Sequence, residues 1–583
     1  MILKIIIQEH REKSNPDVVR STWGARPSPR EQITQTYTIV KEHIQLEIRF
    51  KNLSKHTIRG EIKMNEKVLI VPMQPTPNGR MHIGHGAGTY LRSDVMGRAL
   101  RVRGYDVSII TGSDAFENWV IAEAMRSGKT PEDTCDHYHS AIFRDLSSLD
   151  IQLDAWIDPR SSEHYSGYLE IHEKTLLRLK ETGSAKLENE RVPYSTKSGE
   201  PMIGTWISGR CPQCGQSCQG SSCVYCGAHF QPEELIEPKS RLDNSTLEWR
   251  SIQSWFARPK ESTKILECLE DSGIRPVWMK AVKEYIEHRG GRIRLTGPGN
   301  WGIESNLVPP GFVLSNPYYL YSVYCGEVYK KLKNTTMNPF NPHSKVTTIG
   351  VFGNDNSTPG LIAPHVIAHG SDGLLKPFDI TVVNGMLFLE GQKCSTSKRH
   401  GIWLVEILDD NTGITSDELR FFLAHAQLDI GHADITLEAL VNTITSFREW
   451  YVQRLIPTIE QASNSIIYYN DRMARVLDEQ AKSLNPRQLD LPSAVTILKN
   501  WMYDNTIEQG EWLLGLTLLG APIFPELAQQ IWAQLGLDGT PTISSLKGRE
   551  AKLKGETKMK FISRPKLSVT NLKPYVHLAE VKS

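Results

Sequence analysis

His82 and His85, one helical turn apart with Gly84 between them, have the types and spacing to hold an anion. They close the stretch Pro75-Thr76-Pro77-Asn78-Gly79-Arg80-Met81. A strand-like run, Val68-Leu69-Ile70-Val71-Pro72, precedes it, and a helix-like run, Thr89-Tyr90-Leu91-Arg92-Ser93-Asp94-Val95, follows. Where a strand hands over to a helix, free backbone N–H groups and the positive end of the helix dipole favour phosphate. The missing side chain at Gly84 lets a flat base or a ribose lie against the backbone. A nucleoside triphosphate is the expected ligand. A second segment, Glu390-Gly391-Gln392-Lys393-Cys394-Ser395-Thr396-Ser397-Lys398-Arg399-His400-Gly401, carries cations and hydroxyls suited to charge moving onto a leaving pyrophosphate. Taken alone it also fits an ordinary polar surface loop.

The cysteines point to a metal. Cys211-Pro212-Gln213-Cys214 and Cys223-Val224-Tyr225-Cys226 are paired CxxC turns separated by eight residues. Four thiolates so arranged make a closed tetrahedral site suited to structural zinc. Cys218, between the turns, is expected to be a spectator, and Cys135, Cys268, Cys325 and Cys394 are expected to be packing residues.

These groups must be held by a large scaffold. A chain of 583 residues has room for several cores; 23% charged and 39% hydrophobic residues are ordinary values for a globular protein. No apolar run reaches the roughly 18 to 20 residues needed to span a bilayer, and Met1–Gln8 is too soon interrupted to be a signal peptide. A cytoplasmic location and no membrane partner are the expectation. A net charge of +1 leaves any nucleic-acid contact to local patches.

Along the chain, Ile44, Leu46, Ile48 and Phe50 alternate with polar residues, so residues 1–66 read as a small β-rich extension. Residues 67–165 alternate short strands with helical patterns, and Val107–Asp114 ends a strand in a glycine and a carboxylate. Residues 166–345 lose that alternation and carry the cysteines. It resumes over 346–415, with strands at Thr347–Phe352 and Asp379–Val383. Residues 416–540 have helical period, and 541–583 form a basic tail with Lys547, Arg549, Lys552, Lys554, Lys558, Lys560, Arg564 and Lys566. The expected fold is α/β: a Rossmann-like parallel sheet interrupted by a zinc-knuckle insertion and followed by an α-helical bundle.

Together these motifs resemble a class I aminoacyl-tRNA synthetase of the methionyl group, over about residues 68–450. His82-Ile83-Gly84-His85 is similar to the HIGH signature, and Lys393-Cys394-Ser395-Thr396-Ser397 to an altered KMSKS signature. The knuckle with Pro232–Ser240, Asn300-Trp301-Gly302-Ile303, Ser416–Phe422 and Ala521–Leu527 also look like family landmarks. The resemblance implies ATP-dependent activation of an amino acid as its adenylate, with Mg²⁺ accompanying ATP. It implies that His82 and His85 contact phosphates, while Gly84, Asn78, Gly353 and Asp355 form the nucleoside site. Lys393 would neutralise the leaving pyrophosphate, with Lys398 in reach of it. Asp114 would pair with the substrate's α-ammonium.

The departures are informative. The fourth KMSKS position is Thr396 where the family has lysine, leaving Lys398 or Arg399 as substitutes. The family's Leu-Pro-Tyr-x-Asn-Gly reads Gln74-Pro75-Thr76-Pro77-Asn78-Gly79 here, so Gln74 and Thr76 replace an apolar and an aromatic wall. The family's Trp-Leu-Asp-Ala-Pro segment corresponds roughly to Tyr321–Cys325, and its aromatic–histidine pair falls near Pro359 and Gly360. A thioether wants a snug apolar cavity, so the expected substrate is an amino acid other than methionine. No anticodon-reading Asn-x-x-x-Arg pair is evident near Phe447–Trp450, and Trp501 and Trp512 are not assigned to RNA. Transfer to tRNA is therefore weighed against two alternatives: a tRNA-independent ligase acting on a small amine, and a non-catalytic RNA-binding or regulatory paralogue.

Overall fold

The computed structural model describes residues 66–396, 398–461, 466–467, 469–546, 551–552 and 566–578. The strand expected at Ile44–Phe50, with the extension around it, lies outside the described residues. So does most of the basic tail between Lys547 and Arg564.

The scaffold is a five-stranded parallel sheet: β1 (Lys67–Pro72), β2 (Asp106–Gly112), β3 (Ala155–Ile157), β4 (Val346–Gly353) and β5 (Ile380–Asn384). Its order is β5-β4-β1-β2-β3. Val68, Leu69, Ile70 and Val71 are all fully buried, because a parallel sheet covered on both faces needs continuous rather than alternating apolar strands. Register sets Leu69 beside Thr348 on one side and Ser108 on the other. The order reverses between β1 and β4, so their carboxyl ends part and open a crevice there.

The long insertion sits between β3 and β4. It contains an eleven-residue antiparallel ribbon, Ala185–Ser195 against Leu247–Ala257. It also holds a small sheet of Ile207–Arg210, Ser217–Gln219 and Ile236–Ser240 beside the cysteines. The helix Tyr318–Leu332 leads back to the sheet, where the Tyr318 hydroxyl accepts from the Val351 N–H at 3.2 Å and donates to the Val71 carbonyl. That single phenol ties the insertion's exit to β1 and β4 together.

Beyond the sheet the chain is helical, from Ser416–Leu423 through Leu437–Trp450, Asp471–Ser483, Leu491–Tyr503 and Gln509–Gly520 to Pro525–Gln534. The two landmark segments of the sequence meet at this joint. Arg420, fully buried, donates to Asp94 (2.6 Å) on the helix after β1 and to the carbonyls of Pro522 and Ile523. Asp417 accepts from the Leu527 N–H at 2.7 Å, holding the start of Pro525–Gln534. These residues join sheet to bundle. Among the described residues, no helix is long and apolar enough to cross a membrane.

Candidate active site

The crevice is a cleft of about 380 Å³ at the carboxyl ends of β1 and β4. Its lining brings together Gln74, Thr76, Asn78, His82, Gly84, His85, Gly353, Asp355 and Lys393, gathered from segments some 300 residues apart. Asp114 lies beside this wall, its N–H donating to the Pro75 carbonyl at 2.8 Å. Lys398 is exposed and does not line the cleft; its N–H meets the Ser395 hydroxyl at 3.4 Å.

His82 is the N-cap of the helix that begins at Ile83. Its Nδ1 accepts from the Gly84 and His85 N–H groups at 3.1 and 3.4 Å, and the His85 Nδ1 accepts from the His82 N–H at 3.4 Å. With Nδ1 an acceptor in both rings, the neutral tautomer carries its proton on Nε2. The rings stack 3.8 Å apart. Burial first, then the charges of His85 and Lys393, hold the His82 pKa well below the usual imidazole value. Burial, aided by Lys393, lowers that of His85 to about 4. Two neutral N–H donors thus stand where a cation-rich loop meets a helix start.

The loop of Lys393 is folded down on this junction. A side-chain carbon at Gly79 would come 2.4 Å from the Thr396 methyl, and one at Gly84 would come 3.0 Å from Cys394. The two glycines are what permit this closeness. Burial lowers the Lys393 ammonium from its ordinary value, the Asp355 carboxylate opposing and Lys398 adding to the effect.

Asp114 accepts from the Asn316 amide at 2.7 Å, and Asn316 in turn accepts from the Tyr168 hydroxyl. Burial, then the neighbouring Glu117 carboxylate, pushes the Asp114 pKa well above the usual carboxylate range, against the pull of Asn316. Nearby polar atoms go unpaired: Gln74 is 7% exposed and Tyr321 fully buried, yet among the described residues the Gln74 Oε1 and the Tyr321 hydroxyl have no partner. A second cleft of about 990 Å³, lined in part by Glu117, Trp301, Asn316, Pro359 and Ala363, opens on the insertion side of Asn316. Tyr321–Cys325 is buried in the helix Tyr318–Leu332, and the segment that reaches Asp114 is the one ending at Asn316, just beyond the strand Phe312–Leu314.

The four cysteines of the paired turns converge, all their sulfurs within 4.8 Å of one another. Cys211 to Cys226 is 3.8 Å and Cys214 to Cys223 is 3.6 Å. A tetrahedron with metal–sulfur bonds of about 2.3 Å has edges of about 3.8 Å, so this donor set fits a four-thiolate metal. Cys218 turns away, its sulfur toward the Gly209 carbonyl. The second turn is docked on the site: the His229 Nε2 donates to the Asp355 carbonyl at 2.8 Å.

Some residues that the sequence did not point to also line the cleft, among them Gly88, Asn356 and Asn384. Asn384 ends β5, and a polar residue at the carboxyl end of a parallel strand is the signal that could have found it. Asn316 had no such signal, being 202 residues from Asp114. In the bundle, the Trp501 and Trp512 indoles donate to each other's carbonyls at 2.9 and 2.8 Å, and Arg448 pairs with Glu418 at 2.8 Å.

A parallel sheet with a His-x-Gly-His helix start at its crossover and a lysine loop closing on it defines the class I synthetase type of catalytic domain. The family profile described as tRNA synthetases class I (M) matches residues 68–447. The methionine–tRNA ligase of Thermoplasma acidophilum is 28% identical over 397 residues, covering 65% of this chain and 70% of its own. That of Methanocaldococcus jannaschii is 29% identical over 397 residues, covering 65% and 57%. The crystal structure of Mycobacterium tuberculosis methionyl-tRNA synthetase bound by methionyl-adenylate has the same fold, with a TM-score of 0.60 at 14% identity, over 84% of this chain and 99% of that one. The chain belongs to the methionyl-tRNA synthetase family of class I aminoacyl-tRNA synthetases. It is an ATP-using ligase that activates an amino acid as its adenylate.

Proposed function

We propose that the 380 Å³ cleft binds ATP and that the substrate carboxylate attacks its α-phosphorus, forming the acyl–phosphate bond as the bond to pyrophosphate breaks. The observation that carries this reading is the pair of Nδ1-anchored imidazoles. Their Nε2–H groups donate to phosphate oxygens without needing a charge, and they need no reorganisation as charge develops. Gly84 lies under the nucleoside, with Asn78, Gly353 and Asp355 around it. Lys393 neutralises the departing pyrophosphate; Lys398, on the same loop, follows it outward in place of the lysine that Thr396 replaces. Mg²⁺ would accompany the triphosphate and would supply charge screening at its phosphates. Asp114, with no cationic partner among the described residues, takes the α-ammonium.

The four thiolates hold zinc as a structural ion, bracing Asp355 through His229. One zinc per chain is expected by elemental analysis. Cys223→Ser should lose the metal, lower the melting temperature and raise the KM for ATP; full metal content in that variant would remove Cys223 from the site. The work is divided over the segments 67–165 and 346–415 for catalysis, 166–345 for metal and substrate walls, and 416–540 for the bundle, with 541–583 a basic tail whose Val576–His577 pairs with the catalytic half.

For the side chain we propose an amino acid other than methionine, and a polar one. A thioether offers no proton to the Gln74 Oε1, and a buried acceptor left unmade costs about 1–3 kcal/mol. ATP–pyrophosphate exchange across the amino-acid panel tests it: a polar amino acid should be preferred over methionine by about tenfold or more, since one buried hydrogen bond is worth about 1.4 kcal/mol. Preference for methionine over every other amino acid would end this reading while leaving the ATP site standing.

The acceptor we propose is tRNA. A small-amine acceptor is a second reading, favoured by Arg448 and the two tryptophans being engaged within the bundle. Exchange accompanied by tRNA charging supports the first, and exchange without charging supports the second.

A further inference from the structure

The last described segment, Lys566–Leu578, returns to the active site. Val576–His577 pairs antiparallel with Gly401–Ile402, Ile402 opposite Val576 and Gly401 opposite His577. Gly401–Ile402 directly follows the loop that carries Lys393, whose two sides are joined at Ser395 and His400. On its other side this segment lies against the histidine motif: Trp403 bridges to His82, and the Leu404 N–H donates to the Met81 carbonyl at 3.0 Å. Gly401 has φ 151°, and a side chain there would come 3.0 Å from the Trp403 ring and 3.4 Å from the His82 Cβ. The segment 401–404 is thus sandwiched between the C-terminal strand and His82.

Side chains continue the same line. The rings of His577, Trp403, His82 and His85 follow one another at centroid separations of 5.5, 5.7 and 3.8 Å. The far ring is tethered, the His577 Nε2 lying 2.8 Å from a Glu406 carboxylate oxygen. Backbone N–H groups hold His82 through Nδ1 on one side only. Trp403 supplies packing on another, and His577 backs Trp403.

We propose that Lys566–Leu578 is a strap that holds the Lys393 loop and the His82 ring in register, with His577 a positioning residue that acts on His82 through Trp403. This strand pairs at the base of the loop, and His577 ends a row of rings at the cleft. The effect falls on the transition state, because a ring free to rock loses alignment with the phosphate when charge develops there. The kinetic part rests on the reading of His82 as a phosphate donor.

The test uses the full chain with His577→Ala and His577→Phe. Exchange kcat should fall about fivefold in His577→Ala, with the amino-acid KM and the melting temperature unchanged, and His577→Phe should restore at least half of it because the ring is kept. An unchanged kcat in His577→Ala, or a loss that phenylalanine does not restore, overturns the proposal. A second readout does not depend on catalysis: with ¹³C-labelled histidine, the His82 ring resonance should shift in His577→Ala as Trp403 moves. An unmoved His82 resonance overturns the strap. A wild-type chain silent in exchange overturns only the reading of the cleft, and the resonance still decides the strap.

Discussion

His82→Ala should lower ATP–pyrophosphate exchange by about 100-fold, the usual cost of removing one preorganised donor to developing charge. His85→Ala should cost at least about tenfold, or about 1.4 kcal/mol of transition-state stabilisation. Alanine at 82 also removes an N-cap, at about 1 kcal/mol of stability. His82→Asn separates the two effects. Asparagine keeps a capping acceptor but has no group at the Nε2 position, so its melting temperature should stay close to wild type while exchange remains low. Full exchange in His82→Asn would remove the imidazole from the chemistry.

The same burial sets a pH dependence. The His85 pKa is lowered to about 4 and that of His82 is held well below its ordinary value, so His85 stays neutral, the donating form, from alkaline pH down to about 4, and His82 is neutral through the ordinary imidazole range. In the unfolded chain these rings titrate near 6.5. The unfolded state therefore binds more protons between about 6.5 and 4, and stability is lost as pH falls through that window. His172, His229 and His365, also lowered to about 4 by burial, add to the loss. Exchange kcat/KM should show no inflection near 6.5 from His82 or His85, and acid inactivation should track unfolding followed by circular dichroism. An inflection near 6.5 that vanishes in His85→Ala would contradict the neutral pair.

Asp114→Asn should lower kcat/KM for the amino acid by about 100-fold, or about 2.7 kcal/mol, the scale of leaving one partner of a desolvated charge pair alone. The KM for ATP should change little, because Asp114 lies beside the cleft and not in its lining. The substitution keeps the size of the side chain and the backbone bond to Pro75, so the fold should survive. Burial and Glu117 raise the Asp114 pKa, so the carboxylate gains its charge only well above the ordinary range, and wild-type affinity for the amino acid should rise with pH through that titration. Asp114→Asn should lose that limb. An unchanged amino-acid kcat/KM would take Asp114 out of substrate binding.

The apolar strand runs of the sheet, the histidine junction and the paired cysteine turns were legible in the chain because each is local. Val68–Val71 needs only its own apolar run to read as a buried strand. His82-Ile83-Gly84-His85 needs only four residues to cap a helix with an imidazole, and each CxxC turn needs one loop. The carboxylate at Asp114 was readable for the same reason, as the end of a strand. Tertiary structure alone decided what surrounds them. The Asp114–Asn316–Tyr168 chain joins an element of the sheet to two of the insertion, and Arg420 spans from the bundle to the helix after β1. Gln74 reads from sequence as a polar wall, but that its Oε1 is buried without a partner among the described residues depends on everything packed around it. The strand at Val576–His577 is two residues long and carries no pattern of its own. Its place beside Trp403 and His82 comes from pairing partners more than 170 residues away in sequence, and such non-local contacts leave no period for a sequence to display.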